Sequence, residues 1–276
     1  MLTLMYITNS PEIALIAEAN GVKRVWVDLE TLGKEERQKG RNTVKSNHTV
    51  ADIRAIRPLL TTAELLVRIN PWHEHSTAEV EAVIEAGADL IMLPMWKTAH
   101  EVACFLKAVD GRIPTVLLLE TREAQACLDE VLTLEGIGEI HIGLNDLHIS
   151  YGLNFMFELL SNGTVESICQ KIACRGIPYG FGGIAKIGDG AVPAEKIILE
   201  HYRLGSTRAI LSRTFCDNAK ISSTEEIERV FRLNMKAIRA FEEYAAQAPE
   251  EAIESNRLEL CEAVERVAQE MRARRG

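Results

Sequence analysis

Short apolar runs alternate with helix-like segments along most of the chain. The runs are continuous and rich in Val, Ile and Leu, which is typical of strands buried in a parallel sheet. Between them, for example over 77–86 and 98–109, apolar residues recur three and four positions apart, as on a helix packed against a sheet. The eight runs cover residues 2–7, 24–29, 65–69, 90–94, 115–119, 139–143, 178–184 and 208–215.

The number and spacing of these runs predict the fold. Eight strand and helix repeats of about 30 residues match a closed (β/α)8 barrel better than an open doubly wound sheet. No G-x-G-x-x-G motif follows the first run, which weakens a dinucleotide-binding alternative. We therefore predict an α/β TIM barrel as a catalytic domain over residues 1–247.

The C-terminal segment contains one helix more than the barrel needs. A helix start at Ser223 leads into a helix that completes the barrel, and Pro249 separates it from a further helix within 248–276. That helix must bury its apolar stripe on its own barrel or on a neighbouring subunit, and we favour the neighbour, which predicts a homo-oligomer. The stripe consists of Leu260, Val264, Val267 and Met271.

Composition excludes several classes of protein. The chain has 276 residues, 47% of them apolar, and a formal net charge of −9. The acidic balance argues against nucleic-acid and anionic-membrane binding, because both need a basic surface. There is no apolar stretch of membrane-spanning length and no positively charged leader, so we expect a cytoplasmic protein. Six scattered cysteines without a C-x-x-C pair indicate reduced thiols rather than a disulfide framework or structural zinc site.

A long insertion, residues 30–64, follows the second run. In a barrel, a long loop at the C-terminal end of a strand lies over the active face. This one is locally basic, which would attract a carboxylate, a phosphate or coenzyme A, although a solvated surface loop is the alternative. His48 in the same segment could act as an acid or base, or be an ordinary loop histidine. The basic residues are Lys34, Arg37, Lys39, Arg41 and Lys45.

Two carboxylates follow consecutive runs. Glu120 comes after the fifth run and Asp146 after the sixth, so both side chains are expected at the same end of the barrel. Hard oxygen ligands without an accompanying Cys or His cluster suit Mg²⁺ or Mn²⁺. The alternative, that each residue caps the helix after it, is equally consistent with the spacing.

A cation lies near the C-terminal end of the third run. Arg68 could bind a carboxylate bidentately, or hold an oxyanion beside the metal. The alternative is an ion pair with Glu30 or Asp28 that closes the mouth of the barrel, and the sequence alone does not separate the two.

Five motifs at these strand ends resemble one family of metal-dependent barrels. That family contains the 2-oxoacid aldolases of the 4-hydroxy-2-oxoheptanedioate type and the citrate lyase beta subunits. The motifs occur in the same order in this chain and together are fairly specific for the family, but less so for its substrate. They are V-D-L-E at 27–30, V-R-I-N at 67–70, G-A-D-L-I-M-L-P at 87–94, L-E-T-R-E-A at 119–124 and I-G-L-N-D-L at 142–147.

The resemblance implies a fold and a chemistry. It implies a TIM barrel of the phosphoenolpyruvate/pyruvate-binding type, in which Glu120 and Asp146 hold a divalent metal: Mg²⁺ or Mn²⁺, with Co²⁺ as a further candidate. The metal would chelate the carboxylate and keto oxygen of pyruvate or a similar 2-oxoacid. Arg68 would touch the keto oxygen and steady the enolate, while backbone amides complete the carboxylate pocket. The implied substrate-binding residues are Arg68, Gly143, Leu144, Asn145 and Asp146.

The chain departs from both branches of this family. Aldolase members carry Glu-His after the second strand and citrate-lyase-like members carry Asp-Leu-Glu-Asp, whereas this chain has Glu30 followed by Thr31. It also has Met95 where the citrate-lyase branch tends to have lysine. Either His48 or a metal-bound water would then supply the proton transfers, or the reaction dispenses with the missing group. The candidate catalytic residues are Arg68, His48 and Glu30.

Three hypotheses about function follow. The leading one is a carbon–carbon lyase, or aldolase, that acts through a metal-bound enolate of pyruvate or a close relative. The second is a citrate-lyase-like lyase or thioesterase acting on an acyl-coenzyme A or phosphorylated substrate, motivated by the basic insertion. The third is a barrel that has lost catalysis and serves as a binding subunit.

Overall fold

One closed parallel sheet organises the chain. In the computed structural model, which describes residues 1–33, 47–217, 221 and 223–273, eight strands follow one another around the barrel in chain order. This confirms the predicted α/β barrel. The strands are β1 (Thr3–Ile7), β2 (Arg24–Asp28), β3 (Glu64–Arg68), β4 (Leu90–Leu93), β5 (Thr115–Leu119), β6 (Glu139–Ile142), β7 (Tyr179–Ile184) and β8 (Arg208–Leu211).

Helices connect the strands and continue beyond the last one. A 3₁₀ turn, Arg57–Leu59, extends the second of them. Within the described residues they are α1 (Pro11–Ala19), α2 (Val50–Ile56), α3 (Ser76–Glu85), α4 (Ala99–Val109), α5 (Arg122–Ala126), α6 (Leu128–Val131), α7 (Leu144–Ser150), α8 (Glu158–Ser161), α9 (Thr164–Ala173), α10 (Ala194–Arg203), α11 (Thr224–Ala245) and α12 (Glu250–Ala273).

The apolar runs become strands because both of their faces are covered. β2, β4 and β5 are buried at every position, as expected of a parallel sheet enclosed by helices. Some runs extend past the strand they contain, most clearly at the C-terminal end of β8. There, Phe215 is buried against Phe231 of α11, with ring centroids 5.2 Å apart, so its apolar character serves a helix contact rather than the sheet.

The chain divides into two packing units. The N-terminal unit comprises Met5–Leu119 and Glu123–Ile140, and the C-terminal unit comprises Met1–Leu4, Glu120–Arg122 and His141–Gly276. Among the described residues, no helix has both the length and the apolar character needed to cross a membrane. All six cysteines lie in the described part of the chain, and none of them forms a disulfide.

In the N-terminal unit, two ion pairs lie at opposite ends of the same pair of strands. Arg24 is the register partner of Glu64, and Asp28 is the register partner of Arg68. Arg24 bonds Glu64 at 2.9 Å and Glu139 at 2.8 Å. Burial is the largest single influence on the pKa of Arg24 and acts to lower it, but these two carboxylates together raise that pKa. β2 carries the cation of one pair and the anion of the other, and β3 carries their partners. A slip of β2 along β3 would therefore break both pairs.

In the C-terminal unit, the last helix packs on its own chain. α12 contacts α8 and α10, and Leu260 and Val264 of the apolar stripe are buried there. These contacts cover part of the stripe within one chain, and packing of α12 on a neighbouring subunit stays a prediction. The homo-oligomer stays a prediction.

We expect Leu260→Ala to lower the free energy of unfolding by about 2–5 kcal/mol, because it leaves a cavity under α12. Leu258→Ala on the same helix is the matched control: its side chain is exposed, so it should change stability by less than about 0.5 kcal/mol. Equal effects of the two variants in urea unfolding would contradict this packing of α12.

Two histidines lie in the interior of the C-terminal unit. The His201 ring stacks on Phe181 with centroids 3.9 Å apart, and its Nδ1 lies 2.7 Å from Ser206 Oγ. Burial, with a smaller contribution from His141, lowers the pKa of His201 to about 3. Neutral His201 is therefore part of the core.

This pKa predicts that stability falls as the pH drops below about 6.5, the ordinary histidine value. The folded pKa is lower than the unfolded one, so the unfolded state binds more protons in this range, and each such group costs up to about 1.4 kcal/mol per pH unit. We expect His201→Phe, which keeps a stacked ring but cannot protonate, to flatten the dependence in unfolding titrations from pH 7 to pH 5. Parallel curves for the two proteins would contradict this assignment.

Candidate active site

The predicted site residues form two groups, one in each packing unit. Glu30, His48 and Arg68 belong to the N-terminal unit, whereas Glu120 and Asp146 belong to the C-terminal unit. The first group lies at the ends of β2 and β3, and the second follows β5 and β6.

Two buried carboxylates hold Arg68 at the end of β3. Its Nε and Nη2 each lie 2.8 Å from an oxygen of Asp28, and Nη2 lies 3.1 Å from Glu30 Oε2. Both acidic side chains are only 2% exposed. The ion pair considered as an alternative from the sequence is therefore present, with both carboxylates rather than one. The guanidinium is a cation of fixed position, since bidentate pairing sets its plane.

An aromatic ring also supports Arg68. Its guanidinium carbon lies 5.2 Å from the centroid of Trp26, within the range of a cation–π contact. Sequence reasoning missed Trp26 because it was read only as part of an apolar run. Strand periodicity could have found it: Trp26 precedes Asp28 by two positions, and residues two apart share one face of a strand.

His48 lies at the end of β2. The backbone N–H of Asp28 donates to its Nδ1 at 2.9 Å. An accepting Nδ1 carries no proton, so the ring is in the neutral form with its proton on Nε2. The next residue, Thr49, is the N-cap of α2. It forms a capping box, in which its backbone N–H donates to Asp52 Oδ2 at 2.6 Å. The helix start thereby anchors His48, whereas its acid/base role stays a prediction.

Asn70 organises the residues that follow β2. Its Oδ1 accepts hydrogen bonds from the backbone N–H groups of Thr31 and Leu32 at 2.8 and 2.9 Å, and its Nδ2 donates to Glu79 at 2.8 Å. Thr31 stands where the family resemblance places the histidine of the aldolases. It is thus hydrogen-bonded to Asn70, two residues after β3. The basic residues of the insertion, Lys34, Arg37, Lys39, Arg41 and Lys45, lie outside the described residues.

In the C-terminal unit, Glu120 directly follows β5, as predicted, and is buried, but Asp146 is not at a strand end. β6 ends at Ile142, and Asp146 lies in the first turn of α7, whose N-cap is Gly143. Asp146 therefore does not cap a helix that begins after it, and that alternative is wrong. A carboxylate in the first turn is instead favoured by the positive end of the helix dipole.

The segments that carry these two carboxylates are fastened together. The backbone N–H of Arg122, two residues after Glu120, donates to Ser150 Oγ at the end of α7 at 2.9 Å. Its guanidinium lies 5.3 Å from the ring centroid of Tyr151. These contacts hold the short helix that bears Asp146 beside the segment that bears Glu120.

The donor chemistry of Glu120 and Asp146 fits a small divalent metal. Both offer hard carboxylate oxygens, and Glu120 is only 3% exposed. In the part of the chain that the structure describes, no group of three or more His, Cys, Asp or Glu residues could hold a metal. Two carboxylates would leave coordination positions for water and substrate oxygens, which is the arrangement that Mg²⁺ favours. The backbone N–H groups of Leu144 and Asn145 lie at the start of α7, where helical N–H groups lack an intrahelical acceptor.

Comparison with solved structures shows the same fold in distant proteins. A structure of an HpcH/HpaI aldolase from Desulfitobacterium hafniense DCB-2 is 15% identical, with a TM-score of 0.55, and the match covers 76% of this chain and 86% of that one. An HpcH/HpaI aldolase/citrate lyase family protein from Burkholderia cenocepacia J2315 is 13% identical, with a TM-score of 0.60, and the match covers 87% and 94%. At these identities the likeness concerns the fold.

Comparison of the sequence identifies the family. No curated protein matches the chain significantly. The family model for HpcH/HpaI aldolase/citrate lyase matches residues 2–158, more than half of the chain, and this range includes Arg68, Glu120 and Asp146. The sequence resemblance is thereby confirmed, and it supports a lyase. The chain belongs to the HpcH/HpaI aldolase/citrate lyase family.

Proposed function

We propose that the protein is a carbon–carbon lyase that forms or cleaves a bond beside the keto group of pyruvate or a similar 2-oxoacid, through its enolate. The observation that carries the proposal is the pair of carboxylates, Glu120 and Asp146, on two segments that Arg122 fastens together. Membership in a lyase family supports the same reaction class. The five basic residues that motivated the coenzyme A alternative lie outside the described residues, and that alternative stays a prediction.

Glu120 and Asp146 would hold a divalent cation, Mg²⁺ or Mn²⁺, with Co²⁺ also suitable. When bound, the cation supplies a Lewis acid that favours negative charge on the keto oxygen. The contribution of the chain is to keep two anionic oxygens in place, one on a buried residue and the other at a helix start. The N–H groups of Leu144 and Asn145 would bind the carboxylate of the 2-oxoacid.

Arg68 is our candidate for contacting the keto oxygen, as the family resemblance implies. Its surroundings support this role, because Asp28, Glu30 and Trp26 fix the guanidinium before any substrate binds. Donors that are already oriented stabilise a developing oxyanion without reorganisation during the reaction. Arginine also stays protonated at any physiological pH.

His48 is our candidate for donating a hydrogen bond to the aldehyde oxygen. In the structure its Nε2 carries the ring proton, so the neutral ring can donate a hydrogen bond to this oxygen but cannot accept a proton at Nε2. Removal of a methyl proton from the 2-oxoacid therefore requires another base. Glu30 is the other candidate in the N-terminal unit, where its Oε2 lies 3.1 Å from Arg68 Nη2.

The first test is exchange of the pyruvate methyl protons with deuterium, followed by NMR. We expect exchange with Mg²⁺, Mn²⁺ or Co²⁺ present, its loss on chelation with EDTA, and a fall of at least about 100-fold in Glu120→Gln and Asp146→Asn. Glu123→Gln is the matched control, because Glu123 is an exposed carboxylate three residues further along the chain and should leave the rate unchanged. Absence of exchange with all three metals would contradict the proposed function.

The second test is Arg68→Lys. Lysine keeps the charge but cannot bond both carboxylates in the plane of a guanidinium, so we expect the exchange rate to fall by about 100-fold. Arg57→Lys, which alters a half-exposed ion pair with Asp89, is the control and should keep its rate. Melting temperatures of both variants identify any loss that comes from unfolding. A folded Arg68→Lys protein with an unchanged rate would contradict the role of this residue.

A further inference from the structure

A cavity of about 220 Å³ lies at the C-terminal ends of β7 and β8. All of its lining residues belong to the C-terminal unit. Gly183 of β7 and Ser212, which directly follows β8, line it. Ala191 in the loop before α10 and Ala194 at the start of α10 also line it. It does not include Glu120 or Asp146 and is distinct from the carboxylate pair described above.

The wall of this cavity is apolar and partly aromatic. Phe155 and Phe157 are both buried, and their rings meet edge to face with centroids 5.2 Å apart. Val192 and Ile197, also buried, contribute aliphatic surface. The space exists because several other lining positions are glycine or alanine. Such a wall favours an apolar group over a hydrated one.

Several of the polar groups in and around the cavity are already paired with each other or with carboxylates, among the residues that the structure describes. The hydroxyls of Ser212 and Thr214 lie 2.8 Å apart and bond each other. In the loop before α10, the backbone N–H of Gly190 donates to Asp189, and that of Gly188 donates to Glu195. These donors already hold carboxylates, which would repel a phosphate or a second carboxylate. Arg213 also lines the cavity, but it is exposed, so its charge stays in contact with water.

Strand β7 links the cavity to the helix that carries Asp146. Gly182 of β7 has a φ of +51°, and a Cβ at that position would lie only 2.7 Å from the side chain of Leu144, two residues before Asp146. The start of α7 therefore packs directly on β7, and the next residue of that strand, Gly183, lines the cavity. The chain that leaves α7 then supplies the aromatic wall.

We propose that this cavity receives an uncharged, apolar group about as large as a benzene ring. The group belongs to the aldehyde that the reaction joins to the 2-oxoacid or releases from it. A cavity of roughly 150 Å³ with an apolar lining accommodates benzene, so the present one suffices for a phenyl or branched aliphatic group. This inference rests on the proposed function and names its acceptor class. In the joining direction, a base takes a proton from the methyl carbon, which bonds the aldehyde carbon as the C=O π bond opens. The resulting alkoxide takes a proton from water, so no redox partner is needed.

The test compares two acceptors in aldol addition to pyruvate: benzaldehyde, which is apolar, and succinic semialdehyde, which carries a carboxylate. We expect kcat/KM at least about tenfold higher for benzaldehyde. Ala191→Leu, which fills the cavity from an exposed loop position, should lower that ratio by at least about tenfold. Ala173→Leu on the exposed face of α9 is the matched control and should leave the ratio unchanged.

A binding measurement separates failure of this inference from failure of the proposed function. We expect ligand-observed NMR to detect benzyl alcohol on the unmodified protein without added metal, and Ala191→Leu to remove the signal. Methyl exchange without any effect of Ala191→Leu on the acceptor ratio would overturn the acceptor pocket alone. Binding of benzyl alcohol without methyl exchange would overturn the proposed function and, with it, the assignment of the cavity to an aldehyde.

Discussion

The pairing of Arg68 with Asp28 and Glu30 is the interaction on which the N-terminal unit depends most. Removing the arginine would leave two carboxylates buried without their counter-charge, and uncompensated buried charges are strongly destabilising. Asp28 has a double role: its carboxylate holds Arg68, and its backbone N–H holds His48. One strand end therefore fixes both the candidate cation and the histidine that is our candidate hydrogen-bond donor. The reversed pair of Arg24 with Glu64 at the other end of β2 maintains the register that this arrangement needs.

The C-terminal unit positions its carboxylates by different means. Glu120 is placed by the end of a fully buried strand, whereas Asp146 is placed by a seven-residue helix that a hydrogen bond and a ring contact tie to the segment after β5. The same helix packs on Gly182 of β7, where a side chain would collide with Leu144. The position of Asp146 therefore depends on Gly182, and the next residue of the same strand, Gly183, lines the neighbouring cavity.

The strands could be predicted from the sequence, because a short continuous run of Val, Ile and Leu must be covered on both sides, and a parallel sheet under helices covers it. Glu120 and Arg68 were predicted at strand ends for the same reason. The two interpretations of Arg68 could not be separated, since they differ only in which side chains approach the guanidinium. The sequence also left open which surface covers the apolar stripe of α12. An amphipathic pattern indicates that a helix packs against another surface, but it does not identify that surface. Asp146 was displaced from its expected place by the early start of α7 at a glycine N-cap, which lacks the capping side chain that usually marks a helix start.

Family membership and fold agree with a lyase, and our proposal requires that Glu120 and Asp146 in the C-terminal unit form the metal site of that lyase. Titration with Mn²⁺ followed by electron paramagnetic resonance tests this requirement without depending on a substrate. It should be carried out on the unmodified protein and on Glu120→Gln and Asp146→Asn. We expect one bound Mn²⁺ per chain and at least about tenfold weaker binding in each variant. Mn²⁺ binding that is absent from the unmodified protein, or unchanged in both variants, would contradict the proposed metal site.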